Sequence, residues 1–223
     1  MKKYGHRGAR GHAPENTLLS MRKAFSLGVH GIEFDIQLSK DGEPVVIHDD
    51  TLERTTNGRG EVSDFSYWEL QQFNAGGGER IPHLNDVFAL AEAKYDLLIE
   101  LKTDAVEVTE TIIRHWITQG WDYAQLWVLA FDHRLLAKMH ALNPHVQTCA
   151  NIEAIPVSLA LIAQEAHAAA IGPYVGCIDE ALVHDARARG IKTFTWTANN
   201  PPEIARAKAM GVDGIISDYP ERL

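Results

Sequence analysis

The sequence predicts an α/β chain folded as a parallel (β/α)8 barrel, a TIM barrel. A small cap is inserted over its mouth, and the last helix is reduced to about one turn. Two observations lead there. Short apolar runs alternate with helix-like segments along the chain, which implies a parallel sheet, and the runs number eight, which favours closure over an open sheet. A length of 223 residues suits one such barrel, so a single domain spanning residues 1–223 is expected.

The strand candidates are Tyr4–His6, Gly31–Gln37, Asp96–Lys102, Leu126–Phe131, Val146–Ala150, Ala169–Tyr174, Lys192–Thr197 and Gly214–Ser217. Helix-like segments lie between them at Thr17–Leu27, Leu84–Lys94, Ala105–Gln119, Asp132–Leu142, Val157–Ala166, Glu180–Arg189 and Pro202–Met210. Pro201 and Pro202 suit a first helical turn, and Gly28, Gly120, Gly190 and Gly211 suit helix ends. One run falls outside the eight. Val45–His48 follows a Lys40-Asp41-Gly42 turn and reads as a strand folding back antiparallel above the mouth, bringing His48 to the level of Glu33. Residues 51–82 are polar and Gly-rich with one short helical piece, Tyr67–Phe73, and read as the cap.

Composition narrows the function. Hydrophobic content of 45% suits a globular core, and a net charge of −9 argues against a nucleic-acid partner, which needs clustered Lys and Arg. No apolar stretch approaches the roughly 20 residues of a membrane span, and the first residues lack a signal-like apolar run. A cytoplasmic protein with no stable membrane anchor is expected; a homo-oligomer is compatible with the sequence. Cys149 and Cys177 have no metal-ligand spacing and read as small buried residues without a bridge.

Strand period two puts Glu33 and Asp35 on one face and Ile32, Phe34 and Ile36 on the other. Two adjacent carboxylates in an apolar strand repel each other, and a cation between them removes the conflict. Glu100 and Lys102 share a face in the next barrel strand, and His6 and Arg7 end the first. Barrel active sites lie at the C-terminal strand ends, so these residues, with His48, converge on one mouth. Three carboxylates form a hard oxygen set suited to Mg2+ or Ca2+. Arg7 and Lys102 beside such a set imply an anion, and a phosphate fits. Two histidines supply proton exchange near neutral pH. Together they describe cleavage of a phosphodiester.

The chain also resembles the glycerophosphodiester phosphodiesterases. The resemblance rests on His6-Arg7-Gly8, Pro14-Glu15-Asn16-Thr17, Gly31-Ile-Glu-Phe-Asp35, Pro44-Val-Val-Ile-His-Asp49, Leu52-Glu-Arg-Thr-Thr-Asn-Gly58, Ile99-Glu-Leu-Lys102, Thr195-Trp-Thr197 with Asn199, and Gly211-Val-Asp-Gly-Ile-Ile-Ser-Asp218. It implies a capped barrel, one divalent cation, and hydrolysis of a small glycerophosphodiester to sn-glycerol 3-phosphate and an alcohol. Carried over, Glu33, Asp35 and Glu100 are metal ligands, and His6 and His48 the acid and base pair. Arg7 and Lys102 contact phosphate, and Trp196 walls the glycerol pocket. Which histidine is acid stays open, as does water against the glycerol 2-hydroxyl as nucleophile. Two departures stand out. Ala130 precedes Phe131 where the family commonly has serine, and His83 stands where a threonine often caps the next helix, reading here as a weaker cap. A lysophospholipase D-like lipid enzyme and a non-catalytic barrel binding protein are the rival readings.

Overall fold

The computed structural model describes residues 1–223. Eight parallel strands form the barrel: β1 (Lys2–His6), β2 (Gly31–Leu38), β4 (Asp96–Leu101), β5 (Leu126–Ala130), β6 (Gln147–Ile152), β7 (Ala170–Pro173), β8 (Lys192–Thr195) and β9 (Gly214–Ser217). Each pairs with its neighbour, and β1 pairs with both β2 and β9, which closes the ring. The extra strand β3 (Pro44–Val46) pairs antiparallel with the end of β2, as the hairpin reading expects. It stops before His48; the amide of Ile47 still donates to the Asp35 carbonyl, so His48 hangs directly above the carboxylates.

The helices are α1 (Leu18–Ser26), α2 (Tyr67–Leu70), α3 (Leu84–Ala91), α4 (Val106–Thr118), α5 (His133–Leu142), α6 (Leu161–Glu165), α7 (Glu180–Ala188) and α8 (Pro201–Met210). The chain ends in a 3-10 turn at Pro220–Arg222, the reduced last helix. The expected helix from Val157 shrinks to α6, because Leu159 takes a left-handed φ of +52° that a helix cannot accommodate. Thr17 caps α1, its hydroxyl accepting from the Ser20 amide. His83 does cap α3: Nδ1 accepts from the Asn85 amide at 3.1 Å and Asp86 closes the box. Its Nε2 pairs with Glu43, away from the barrel mouth.

Period two sorts the core. Ile32, Phe34, Ile36, Leu97, Ile99 and Leu101 face outward into the layer between barrel and helices. Inside the barrel, Tyr4, Leu98, Trp127, Leu129, Cys149, Phe194 and Ile216 pack together and fill it below the mouth. The cap has a small core of its own, where Leu52, Val62, Leu70, Ala75 and Ile81 meet Val45 and Ile47. Phe65, Tyr67 and Phe73 pack against it, while Trp68 is 74% exposed. Both cysteines are free; Cys149 is buried, but Cys177 is only half-buried, contrary to the expectation, because it lies in a 3-10 turn beyond β7 rather than in a strand. No helix is long and apolar enough to cross a membrane.

Candidate active site

Neighbouring strands in register bring the ionisable residues together. Asp35 of β2 sits beside Glu100 of β4, and His6 of β1 beside Glu33. Ligand oxygens of Glu33, Asp35 and Glu100 lie within 4.8 Å of one another, and all three residues are buried. Asp35 accepts from the Asn16 side chain at 2.8 Å, and Glu100 accepts from Asn151 at 3.1 Å and from Lys102. Glu33 Oε2 accepts the Arg7 amide at 3.1 Å, but its Oε1 has no partner at all. An unpartnered buried carboxylate oxygen is costly, and here it faces two further carboxylates. The donor set fits a hard cation coordinated by oxygen.

Charge balance follows from the contacts. Lys102 Nζ stands 3.1 Å from Asp35 and also binds Glu100. Arg7 Nε lies 3.1 Å from Asp35, though without the alignment of a hydrogen bond. Burial would raise the Asp35 carboxyl, but Lys102 and Arg7 outweigh it and hold it below the usual range. Burial and the Asp35 and Glu100 charges push Glu33 well above that range. Burial and Asp35, against the pull of Lys102, push Glu100 up to about 7. Burial would lower Lys102, but Asp35 and Glu100 keep it firmly protonated. Arg7 reaches its place through a left-handed backbone, φ +49°, a conformation that costs an L residue about 1–2 kcal/mol.

Each histidine is backed by a carboxylate. His6 Nδ1 is 2.6 Å from Asp218 Oδ1, and His48 Nδ1 is 2.6 Å from Asp49 Oδ1. An ionised carboxylate only accepts, so the proton sits on Nδ1 and Nε2 is left for exchange. Burial lowers both histidines from their usual value, against the opposing pull of Asp218 on His6 and of Asp35 and Asp49 on His48. Asp218 is held in turn by Asn199 at 2.8 Å and Arg10 at 3.2 Å.

His6, Arg7, Glu33, His48, Glu100 and Lys102 border one cavity of about 240 Å³. Leu129, Phe131, Asn151 and Trp196 line it too. Trp196 is fixed by its indole N–H to the Gly172 carbonyl at 2.7 Å, with Phe131 edge-on at 5.5 Å. A wider cavity, about 600 Å³, shares His48 and Lys102 with the first and is lined mainly by polar groups, among them Gln37, Ser39, Asp50, Ser63 and Thr103. Asp35 lies just beneath the cavity wall, 1% exposed.

Every site residue read from the sequence is thus at the barrel mouth. Further residues hold them, among them Glu15, Asn16, Asp49, Asn151 and Asp218. Asp49 adjoins His48 and could have been found by that adjacency. Asp218 closes the last motif of the resemblance, but it lies 212 residues from His6 and nothing in the sequence paired the two.

A closed parallel barrel with a carboxylate triad, two cations and two carboxylate-backed histidines at its mouth has the groups that phosphodiester hydrolysis needs. Comparison with known proteins makes the class specific. Residues 6–222 match the glycerophosphoryl diester phosphodiesterase family. A glycerophosphodiester phosphodiesterase of Caldanaerobacter subterraneus subsp. tengcongensis is 36% identical over 98% of this chain and 94% of its own. One from Bacillus altitudinis is 31% identical over 99% and 96%. An Oleispira antarctica phosphodiesterase, solved in complex with the product sn-glycerol-3-phosphate, superposes with a TM-score of 0.90 at 29% identity, covering 100% of this chain and 94% of that one. The chain belongs to the glycerophosphoryl diester phosphodiesterase family and is an enzyme of that class.

Proposed function

We propose that this chain hydrolyses small glycerophosphodiesters to sn-glycerol 3-phosphate and an alcohol, using one divalent cation, Mg2+ or Ca2+, and two histidines. The observation that carries the cation is the unpartnered, buried Glu33 Oε1 among the oxygens of Asp35 and Glu100. Those three residues would hold it, and when bound it supplies Lewis-acid withdrawal of charge from phosphorus. The remaining work falls to the chain. Arg7 and Lys102 stand where a phosphate beside the triad would meet two fixed positive charges, which favour the more negative transition state. His6 and His48 present Nε2, one to take a proton from the nucleophile and the other to give one to the departing alkoxide. Trp196, with Phe131 edge-on to it, supplies an apolar wall for the glycerol carbons. We read the whole chain as one catalytic domain, with residues 51–82 as its cap.

Eight of the ten residues lining the wider cavity are polar or charged, which suits a water-soluble headgroup better than an acyl chain and supports the small-diester reading over the lysophospholipase D-like one. A non-catalytic binding protein would have no use for two histidines each held in one tautomer. The test is direct. Purified protein is treated with chelator, given glycerophosphocholine or glycerophosphoethanolamine with and without Mg2+ or Ca2+, and assayed for released glycerol 3-phosphate. Cation-dependent release is expected. No release with either cation, together with turnover of lysophosphatidylcholine in vesicles, would overturn the small-diester reading.

A further inference from the structure

The start of the cap carries one cation, Arg54, that does not border the catalytic cavity yet is bonded to the carboxylates behind two residues that do, His48 and Arg7. Its Nε and Nη2 donate to Asp49 at 2.6 and 2.8 Å. Its Nη1 and Nη2 donate to Glu15 at 2.9 and 2.8 Å. Asp49 holds His48 Nδ1, and Glu15 accepts from Arg7 Nη1 at 2.7 Å. The result is a continuous chain of hydrogen-bonded groups, His48–Asp49–Arg54–Glu15–Arg7, running from one proposed proton carrier to one proposed phosphate contact. A planar guanidinium can grip two carboxylates at once with two bonds to each, which a lysine cannot. Both carboxylates are secured as anions. Hydrogen bonds from Arg54, then His48, hold Asp49 below the usual range, and Arg54 and Arg7, against burial, hold Glu15 at about 2.

We infer that Arg54 is a positioning residue: through Asp49 and Glu15 it fixes the His48 ring and the Arg7 guanidinium together, so that the cap completes the active site without touching substrate. The inference rests on the proposed roles of His48 and Arg7. The Arg54 side chain is 46% exposed, but a bidentate network of this kind can also contribute to stability, so the test carries readouts that a structural role alone would not move.

The experiment uses the full chain with Arg54→Ala and Arg54→Lys. Loss of a partner that orients a catalytic group typically lowers activity by about 10- to 100-fold. That loss is expected in kcat for both variants, with KM for glycerophosphocholine and Tm close to wild type. Millimolar guanidinium should restore part of the activity of Arg54→Ala and none of Arg54→Lys. A second readout needs no turnover. Imidazole 15N shifts should show His48 in one tautomer, with the proton on Nδ1, in wild type and in a mixture in Arg54→Ala. A kcat within about twofold of wild type in Arg54→Ala would overturn the inference. So would a loss of activity with unchanged His48 shifts and no guanidinium rescue. If wild-type protein releases no glycerol 3-phosphate, the proposed function fails, and the 15N shifts still decide the role of Arg54.

Discussion

Replacing Glu33 by glutamine should stabilise the chelated protein at alkaline pH and abolish its stabilisation by Mg2+ or Ca2+. Glu33 is 3% exposed, and its ligand oxygen lies within 4.8 Å of those of Asp35 and Glu100. At an effective dielectric of about 20, two like charges at that separation repel by about 3 kcal/mol. Arg7 and Lys102 offset part of this, but burial and repulsion still raise Glu33 and bring Glu100 to about 7. A carboxyl raised on folding contributes stability that is fully present below its unfolded value and lost as pH climbs through its folded value. For Glu100 the window runs from the ordinary 4.5 to about 7. Crossing that window removes about 3 kcal/mol at roughly 1.4 kcal/mol per pH unit. Chelated wild type should therefore lose about 6–12 °C of Tm between about pH 5 and 8, at 2–4 °C per kcal/mol for a chain of this size. Glu33→Gln removes the ionisation of a group held well above its usual range, while its amide oxygen can still accept the Arg7 N–H, so the variant should melt above wild type at alkaline pH and keep the fall that belongs to Glu100. Thermal melts in chelator across that range, repeated with Mg2+ and Ca2+, read both effects. A chelated wild-type Tm that stays flat with pH would refute the electrostatic reasoning, and a cation-induced rise retained in Glu33→Gln would refute the cation site.

Other outcomes follow from the same geometry. His6→Ala and His48→Ala should each lose about 10²-fold or more in kcat with little change in Tm, measured by glycerol 3-phosphate release; near-normal turnover would remove that residue from the proton-transfer pair. Trp196→Ala should raise KM for glycerophosphocholine by about 10-fold, since covering part of a half-buried aromatic face with the glycerol carbons is worth about 1.4 kcal/mol; an unchanged KM would show the wall is barrel core only. Gly172→Ala should weaken cation binding, read by titration calorimetry, because its Cβ would stand 2.3 Å from Asn151 Oδ1 and displace the amide that holds Glu100. Its failure to do so would mean that Glu100 needs no such support.

The barrel and the principal site residues were legible because both follow short-range rules. Alternation along β2 separates Glu33 and Asp35 from Ile32, Phe34 and Ile36, and the structure keeps that division. The eight apolar runs became the eight parallel strands, and the short turn at Lys40-Asp41-Gly42 became a hairpin. Where the reading missed, the cause was a local backbone choice set by packing. Leu159 turned left-handed and shortened α6, and Phe131 fell beyond the end of β5 to stand 44% exposed at the mouth.

What the chain encodes locally is which side chains share a face and which strand ends they occupy, since a period of two is a property of covalent geometry. Closure of the ring is different. It puts Asp218, at the far end of the chain, 2.6 Å from His6, and it brings Glu15, from the loop before α1, against Asp49 and Arg54 of the segment after β3. Contacts across such distances depend on how each strand is staggered against its neighbour and where each loop lands. The sum of the packing sets that arrangement, so the partners that hold the catalytic groups in place appear only in the folded barrel.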